Sequence, residues 1–185
     1  MPDDYQLVTG SKHWKRKMRT IFKCLDANCD GYLTRDDYET TGRRAAGYLG
    51  LNGDQCEDVV KQFLYAWDHL DKDIADKVAE EEYVHILFTI VNQDSFRRDL
   101  YPTRLATNFN LIDTDGNGLI SKEEHAAFYK GMRISAEEAN RAFYLMDSNG
   151  EGFISLEDCA KVYLEFVFTE DPNNKYNEIL GPLVD

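Results

Sequence analysis

Apolar residues recur along this chain every three to four positions, in stripes that stop at clusters of acids and glycines. Trp14, Met18, Ile21, Phe22 and Leu25 fall on one helical face, and Phe63, Ala66, Trp67 and Leu70 fall on a second. Leu105, Phe109 and Ile112 make a third, interrupted by Asn108, and Ala139, Ala142, Phe143 and Met146 make a fourth. Spacing of i, i+3, i+4, i+7 predicts amphipathic helices. Each stripe runs into a twelve-residue polar segment whose eighth position is aliphatic: Leu33, Val78, Ile120 and Ile154. Helical spacing resumes afterwards at Phe128 and Tyr129, and at Val162, Tyr163 and Phe166. The pattern therefore predicts four helix–loop–helix units, with "SAEE" at 135–138 as a capping box opening the last.

Three of the polar segments share one chemistry. "DANCDGYLTRDD" at 26–37, "DTDGNGLISKEE" at 113–124 and "DSNGEGFISLED" at 147–158 each carry oxygen donors at positions 1, 3, 5 and 9, glycine at 6 and an acid at 12. This is the calcium-loop pattern of the EF-hand. Calcium takes six to eight oxygens at roughly 2.3–2.6 Å, and alternate side chains of a tightly wound loop converge on one point. Position 7 adds a backbone carbonyl, and the position-12 acid opens the next helix, where the dipole favours a carboxylate. The candidate ligands are Asp26, Asn28, Asp30, the Tyr32 carbonyl, Thr34 and Asp37 in the first loop. Those of the 113–124 loop are Asp113, Asp115, Asn117, the Leu119 carbonyl, Ser121 (directly or through water) and Glu124. Those of the 147–158 loop are Asp147, Asn149, Glu151, the Phe153 carbonyl, Ser155 and Asp158. Glu124 can offer both oxygens, which favours calcium. Asp37 and Asp158 are one methylene shorter, which lowers the oxygen count toward six and suits magnesium better. Glu151 is longer than the usual Asp or Asn at position 5. The segment "DKDIADKVAEEE" at 71–82 keeps its flanks and its apolar position 8 but has Ala75, Asp76 and Ala79 at positions 5, 6 and 9. It reads as a retained hand without a metal site, so Asp71, Asp73 and Glu82 are expected to be solvated acids.

Composition narrows the function. Among 185 residues, 43 % are hydrophobic and 12 % aromatic, enough for a packed core. Thirty-four acids against 21 bases give a formal charge of −13, which repels nucleic acid and points to cations as partners. Four cysteines lack metal-type spacing and read as reduced thiols. The four histidines show no paired metal spacing, and no catalytic or nucleotide-binding motif occurs. The start "MPDDYQLVTG" has neither an apolar signal core nor a glycine for myristoylation, and no apolar run is long enough to span a membrane. "KHWKRKMR" at 12–19 reads as the first helix with its Lys and Arg residues facing solvent. Cys29, at position 4 of the first loop, is expected to be exposed.

With a basic first helix, a first loop closing on aspartate, a degenerate second hand, intact third and fourth hands and the ending "GPLVD", the chain resembles the invertebrate sarcoplasmic calcium-binding proteins. It is also similar to the cnidarian luciferin-binding proteins, which share the pattern of hands 1, 3 and 4 and hold an apolar ligand in a central cavity. Calcium-regulated photoproteins resemble it less: that family uses His, Trp and Tyr together near the C-terminus, whereas here no His follows His125 and no Trp follows Trp67. A peptide-gripping sensor would favour a Met-rich groove, and this chain has four Met against 11 Tyr, 10 Phe and two Trp.

The resemblance and the residues together give one set of expectations. The fold is all-α, with four EF-hands in two pairs (1–92 and 93–185) joined by short two-strand contacts and packed into one unit. Three sites bind Ca2+, with Mg2+ competing most at the loops closing on Asp37 and Asp158. The protein is a cytoplasmic monomer that buffers calcium without catalysis. The alternative is calcium-triggered binding of a coelenterazine-like apolar ligand in the core.

Overall fold

A computed structural model describes residues 2–68, 70 and 76–185. The chain runs helix, strand, helix four times: α1 (Lys12–Leu25), β1 (Tyr32–Thr34), α2 (Arg35–Tyr48), α3 (Gly53–Asp68), β2 (Lys77–Ala79), α4 (Glu80–Val91), α5 (Tyr101–Ile112), β3 (Leu119–Ser121), α6 (Lys122–Gly131), α7 (Ala136–Met146), β4 (Phe153–Ser155) and α8 (Leu156–Phe168). A π-helical turn, Phe96–Leu100, leads into α5. Fold and pairing follow the apolar pattern. β1 pairs antiparallel with β2 through Leu33 opposite Val78, and β3 with β4 through Ile120 opposite Ile154. These four side chains are fully buried, so the lone aliphatic residue of each loop anchors it to the core. The second hand thus keeps its strand. Asp71, Asp73 and Ala75 lie outside the described residues; Glu82 is exposed in the first turn of α4.

The two pairs meet where α2 crosses α6, and the contact depends on small residues. A Cβ on Gly131 would lie 3.0 Å from both the backbone N and the Cβ of Ala45, so only glycine permits this approach. Phe63 of α3 and Phe128 of α6 extend the contact, with ring centroids 5.9 Å apart.

The basic face of α1 is solvated as its sequence suggests at Lys12 and Lys15, but not at Lys17. Lys17 is completely buried, and its Nζ donates to the carbonyls of Phe166 and Thr169, each at 2.6 Å. Trp14 Nε1 donates to the Val167 carbonyl at 2.8 Å. The physical reason is the end of α8: its last carbonyls have no intrahelical partner, and α1 supplies donors. Burial lowers the Lys17 pKa to about 8, against a smaller upward pull from Glu170 and Glu165. Arg97 does a similar job for the N-terminal segment. It is 4 % exposed, donates to the carbonyls of Val91, Pro2, Tyr5 and Gln6, and lies over the Phe168 ring. The predicted capping box at 135–138 forms only in part: Ser135 accepts from the Glu138 N–H, while the Glu138 carboxylate pairs with Arg141.

Candidate metal centres

Each of the three loops is built in the same way from its first residue. Asp26 accepts from the N–H groups of Asp30 and Gly31, Asp113 from those of Asn117 and Gly118, and Asp147 from those of Glu151 and Gly152. One carboxylate therefore winds positions 5 and 6 around itself, and this needs a left-handed backbone at positions 4 and 6. The position-6 glycines Gly31, Gly118 and Gly152 have φ of 84°, 84° and 88°. At position 4 two loops use Gly116 and Gly150, whereas the first loop forces Cys29 to φ 62°. Position 3 adds an acceptor for the position-5 N–H through Asn28, Asp115 and Asn149. Position 5 repeats the device toward position 7 in two loops: Asp30 accepts from Tyr32 N–H and Asn117 from Leu119 N–H. No such bond is made by Glu151 among the described residues.

The far end of each loop is a helix N-cap. Tyr32, Leu119 and Phe153 open the strands, and Thr34, Ser121 and Ser155 then cap α2, α6 and α8 in reciprocal boxes with Asp37, Glu124 and Asp158. In the second hand Ala79 occupies the same place and makes no side-chain cap. The position-12 acids differ in what else they reach. Glu124 Oε1 crosses the loop to accept from Thr114 N–H at 2.8 Å and from its hydroxyl at 2.9 Å. Asp37 Oδ1 crosses likewise to Ala27 N–H at 3.0 Å, despite its shorter side chain. Asp158 bonds only Ser155 among the described residues. Asp37 is 2 % and Glu124 6 % exposed, while Asp158 is half-buried. The two aspartate-closing loops are thus not alike, and the first resembles the 113–124 loop more closely than its sequence suggests. Burial pushes the Glu124 carboxyl upward, but the bonds from Ser121 and Thr114 outweigh it and leave the pKa below the usual value.

A hard divalent ion needs converging oxygens, and the 113–124 loop has them. Carboxylate oxygens of Asp113, Asp115 and Glu124 lie within 4.8 Å of one another. The donor set is all oxygen and anionic, which fits Ca2+ or Mg2+. Among the described residues no second group of three acids converges as closely. The first loop has Asn28 where this loop has Asp115, and its third acid, Asp30, turns to the Tyr32 N–H. The 147–158 loop likewise has Asn149 where this loop has Asp115.

Family comparisons agree with this geometry. The model described as "EF hand" matches residues 106–125, and "EF-hand domain pair" matches residues 15–38. Both halves of the chain thus carry EF-hand motifs. It is similar to a luciferin-binding protein of Renilla reniformis, 28 % identical over 141 residues, covering 74 % of this chain and 77 % of that one. It is also similar to a sarcoplasmic calcium-binding protein of Perinereis vancaurica tetradentata, 24 % identical over 128 residues, 68 % of this chain and 73 % of the other. The fold matches the crystal structure of a coelenterazine-binding protein from Renilla muelleri with a TM-score of 0.82, at 23 % identity, over 94 % of this chain and 99 % of that one. No helix among the described residues is long and apolar enough to cross a membrane.

Two features of this chain have no local signature in its sequence. Between the pairs lies an apolar cavity of about 260 Å3, lined by side chains that include Met18, Phe63, Tyr83, Leu105 and Phe166. Tyr101, Arg104 and Asn108 bring polar atoms to its wall, and the buried Tyr101 hydroxyl has no hydrogen-bond partner. The other feature is Arg133, in the turn between α6 and α7. It donates to the carbonyls of Lys23 and Asp26 and to the Cys29 sulfur, tying the third and fourth hands to the first loop.

Proposed function

We propose that this chain binds and buffers calcium through the loops at 26–37, 113–124 and 147–158, with magnesium competing, and that it catalyses no reaction. The convergence of Asp113, Asp115 and Glu124 carries the reading. Asp113, Asp115, Asn117, Leu119, Ser121 and Glu124 would hold the ion there, and the equivalent residues would do so in the other two loops. A bound divalent cation supplies charge neutralisation and a fixed loop shape. The residues of this chain supply the oxygens and the caps that hold them. Hand 2 contributes its strand and no ion. Isothermal calorimetry of chelator-stripped protein tests the stoichiometry: three calcium ions per chain are expected, falling to two in Glu124→Gln. A stoichiometry unchanged by Glu124→Gln overturns the assignment.

The cavity favours a second reading beside the first. Its volume of about 260 Å3 lies just under the usual range for ligand sites, roughly 300–1,000 Å3, and the unpaired Tyr101 hydroxyl on its wall is a ready hydrogen-bond partner for a ligand. Two of the relatives are named for binding a luciferin or coelenterazine. On this reading the core takes up a coelenterazine-like compound in the metal-free state and releases it when calcium binds. Equilibrium titration with and without calcium decides it, and no uptake in either state leaves the buffer alone.

A further inference from the structure

A second concavity lies apart from the central one. A groove of about 590 Å3 runs between α6 and α7 and is closed at one end by Tyr48, the last residue of α2. Its floor is apolar, formed by Ile134, Ala139 and Phe143, and its rim carries Lys122 and Lys130. Two exposed ammonium groups beside one groove are unusual in a chain of charge −13, where a carboxylate would be the default neighbour. Neither lysine pairs with an acid among the described residues. Lys122 Nζ contacts the Tyr144 hydroxyl at 2.9 Å and Lys130 Nζ lies 4.0 Å above the Tyr48 ring, so both keep N–H donors to spare. Eight residues of helix separate them, about 12 Å. The N-cap Ser135 and Ala136, the first residue of α7, line the same groove and add the positive end of a helix dipole, partly offset by Glu137 and by Glu138, which pairs with Arg141. The inner wall holds a further orphan: Nε2 of His125, in a side chain 1 % exposed, has no partner.

We infer that the α6–α7 groove is a binding site for a small organic anion with an aromatic or other flat apolar body. The floor takes the body, and Lys122, Lys130 and the start of α7 take the charge. Charge complementarity decides against a neutral occupant, because a purely apolar molecule would leave both ammonium groups without counter-charge. The site is distinct from the central cavity, whose lining shares none of these residues. Its position also couples it to metal. α6 leaves the 113–124 loop with Lys122 as its first residue, α7 enters the 147–158 loop, and Arg133 in the groove wall holds the first loop. This coupling rests on the metal-binding reading above, whereas anion binding itself does not.

The test uses 8-anilinonaphthalene-1-sulfonate, a flat apolar anion, titrated by fluorescence into the full chain in chelator and in calcium. Lys122→Glu combined with Lys130→Glu is expected to weaken it at least about tenfold. Ala126→Trp and Asn140→Trp, which fill the groove from exposed positions, are expected to abolish it. Leu105→Trp, in the central cavity, is expected to leave it unchanged. Melting of each variant separates lost binding from lost folding. Binding that survives the groove variants, or is lost only in Leu105→Trp, overturns the site. Equal binding of the uncharged N-phenyl-1-naphthylamine overturns the anion assignment. An affinity equal in chelator and calcium overturns the coupling alone, and calorimetric calcium binding shows separately whether the metal reading stands.

Discussion

Arg133 holds Asp26: its guanidinium, from the turn between α6 and α7, donates to the backbone carbonyl of the residue that opens the first loop. It also reaches the Lys23 carbonyl at 3.1 Å and the Cys29 sulfur at 2.7 Å, so one side chain braces three points around a loop more than a hundred residues away. Hydrogen bonds to a charged donor contribute roughly 1.5–3 kcal/mol each where buried and less at an exposed site such as this one. Arg133→Ala is therefore predicted to weaken calcium at the first loop about tenfold, equivalent to 1.4 kcal/mol. The 113–124 loop should be unaffected. Calorimetry in an Asp113→Asn, Asp147→Asn background, where the other two loops are silenced, isolates the effect. An unchanged first-loop affinity would show that the brace has no part in binding.

Position 12 gives a second, graded prediction. Asp37 already spans its loop to Ala27 N–H, whereas Asp158 reaches only Ser155 among the described residues. Lengthening Asp158 by one methylene supplies the missing span, so Asp158→Glu should raise calcium affinity relative to magnesium several-fold. Asp37→Glu should change the ratio less, since a longer side chain adds no reach that the loop lacks. Competitive titration of both ions measures the two ratios. A larger change at Asp37 than at Asp158 would contradict the structural distinction between them.

These two cases mark what the sequence could convey. Loop ligands, helical flanks and the Leu33–Val78 and Ile120–Ile154 pairings are written locally, because glycine, alternate oxygens and a lone aliphatic residue each serve a neighbour within a dozen positions. Residue type alone treats Asp37 and Asp158 alike, whereas reach across a loop depends on how its backbone winds. The sequence sets Lys17 on a solvated face because its partners, the carbonyls of Phe166 and Thr169, lie about 150 residues away at the C-terminal end of α8. Arg133 and the cavity are hidden for the same reason: long-range contacts between unlike elements leave no periodicity.

Cys29 bears the cost of its position. Its φ of 62° is left-handed, where the other loops place Gly116 and Gly150. A non-glycine residue there costs roughly 1–2 kcal/mol, partly offset here by the contact with Arg133. Cys29→Gly is accordingly expected to raise the stability of the calcium-loaded chain by a few tenths to about 1 kcal/mol, read as the urea midpoint at constant slope. Cys29→Val, branched at Cβ and unable to accept from Arg133, should lower it. The reverse order would remove the strain argument.

Lys17 gives stability a pH dependence whose sign follows from burial. Its folded pKa is lowered to about 8 from an ordinary 10.5. Below pH 8 both folded and unfolded chains hold the proton, and the desolvation penalty is fully present. Between pH 8 and about 10.5 the unfolded chain binds more protons, so this residue makes stability rise with pH across that window. Lys17→Met removes the titration but strands the carbonyls of Phe166 and Thr169, for a net loss of about 2–4 kcal/mol at pH 7. The gap between wild type and variant should widen from pH 8 to pH 10, measured by urea unfolding in saturating calcium. A gap that narrows would reverse the assigned shift.

Metal removal should lower stability more than any of these substitutions. Position-1 and position-12 carboxylates crowd each loop of a chain that already carries a charge of −13, and three divalent ions would add six positive charges among them. A ligand that binds only the folded chain stabilises by about 2.7 kcal/mol per site at a hundred times its Kd. Three filled sites therefore supply a stabilisation comparable to the whole folding free energy of an ordinary domain, about 5–15 kcal/mol. Calorimetric melting in calcium and in chelator should differ by well over 10 °C, with Glu124→Gln falling between. Magnesium should recover part of the difference through the loops ending at Asp37 and Asp158. Coincident melting curves in calcium and chelator would mean that the loops keep their shape without ions and that the bound metal contributes nothing to the fold.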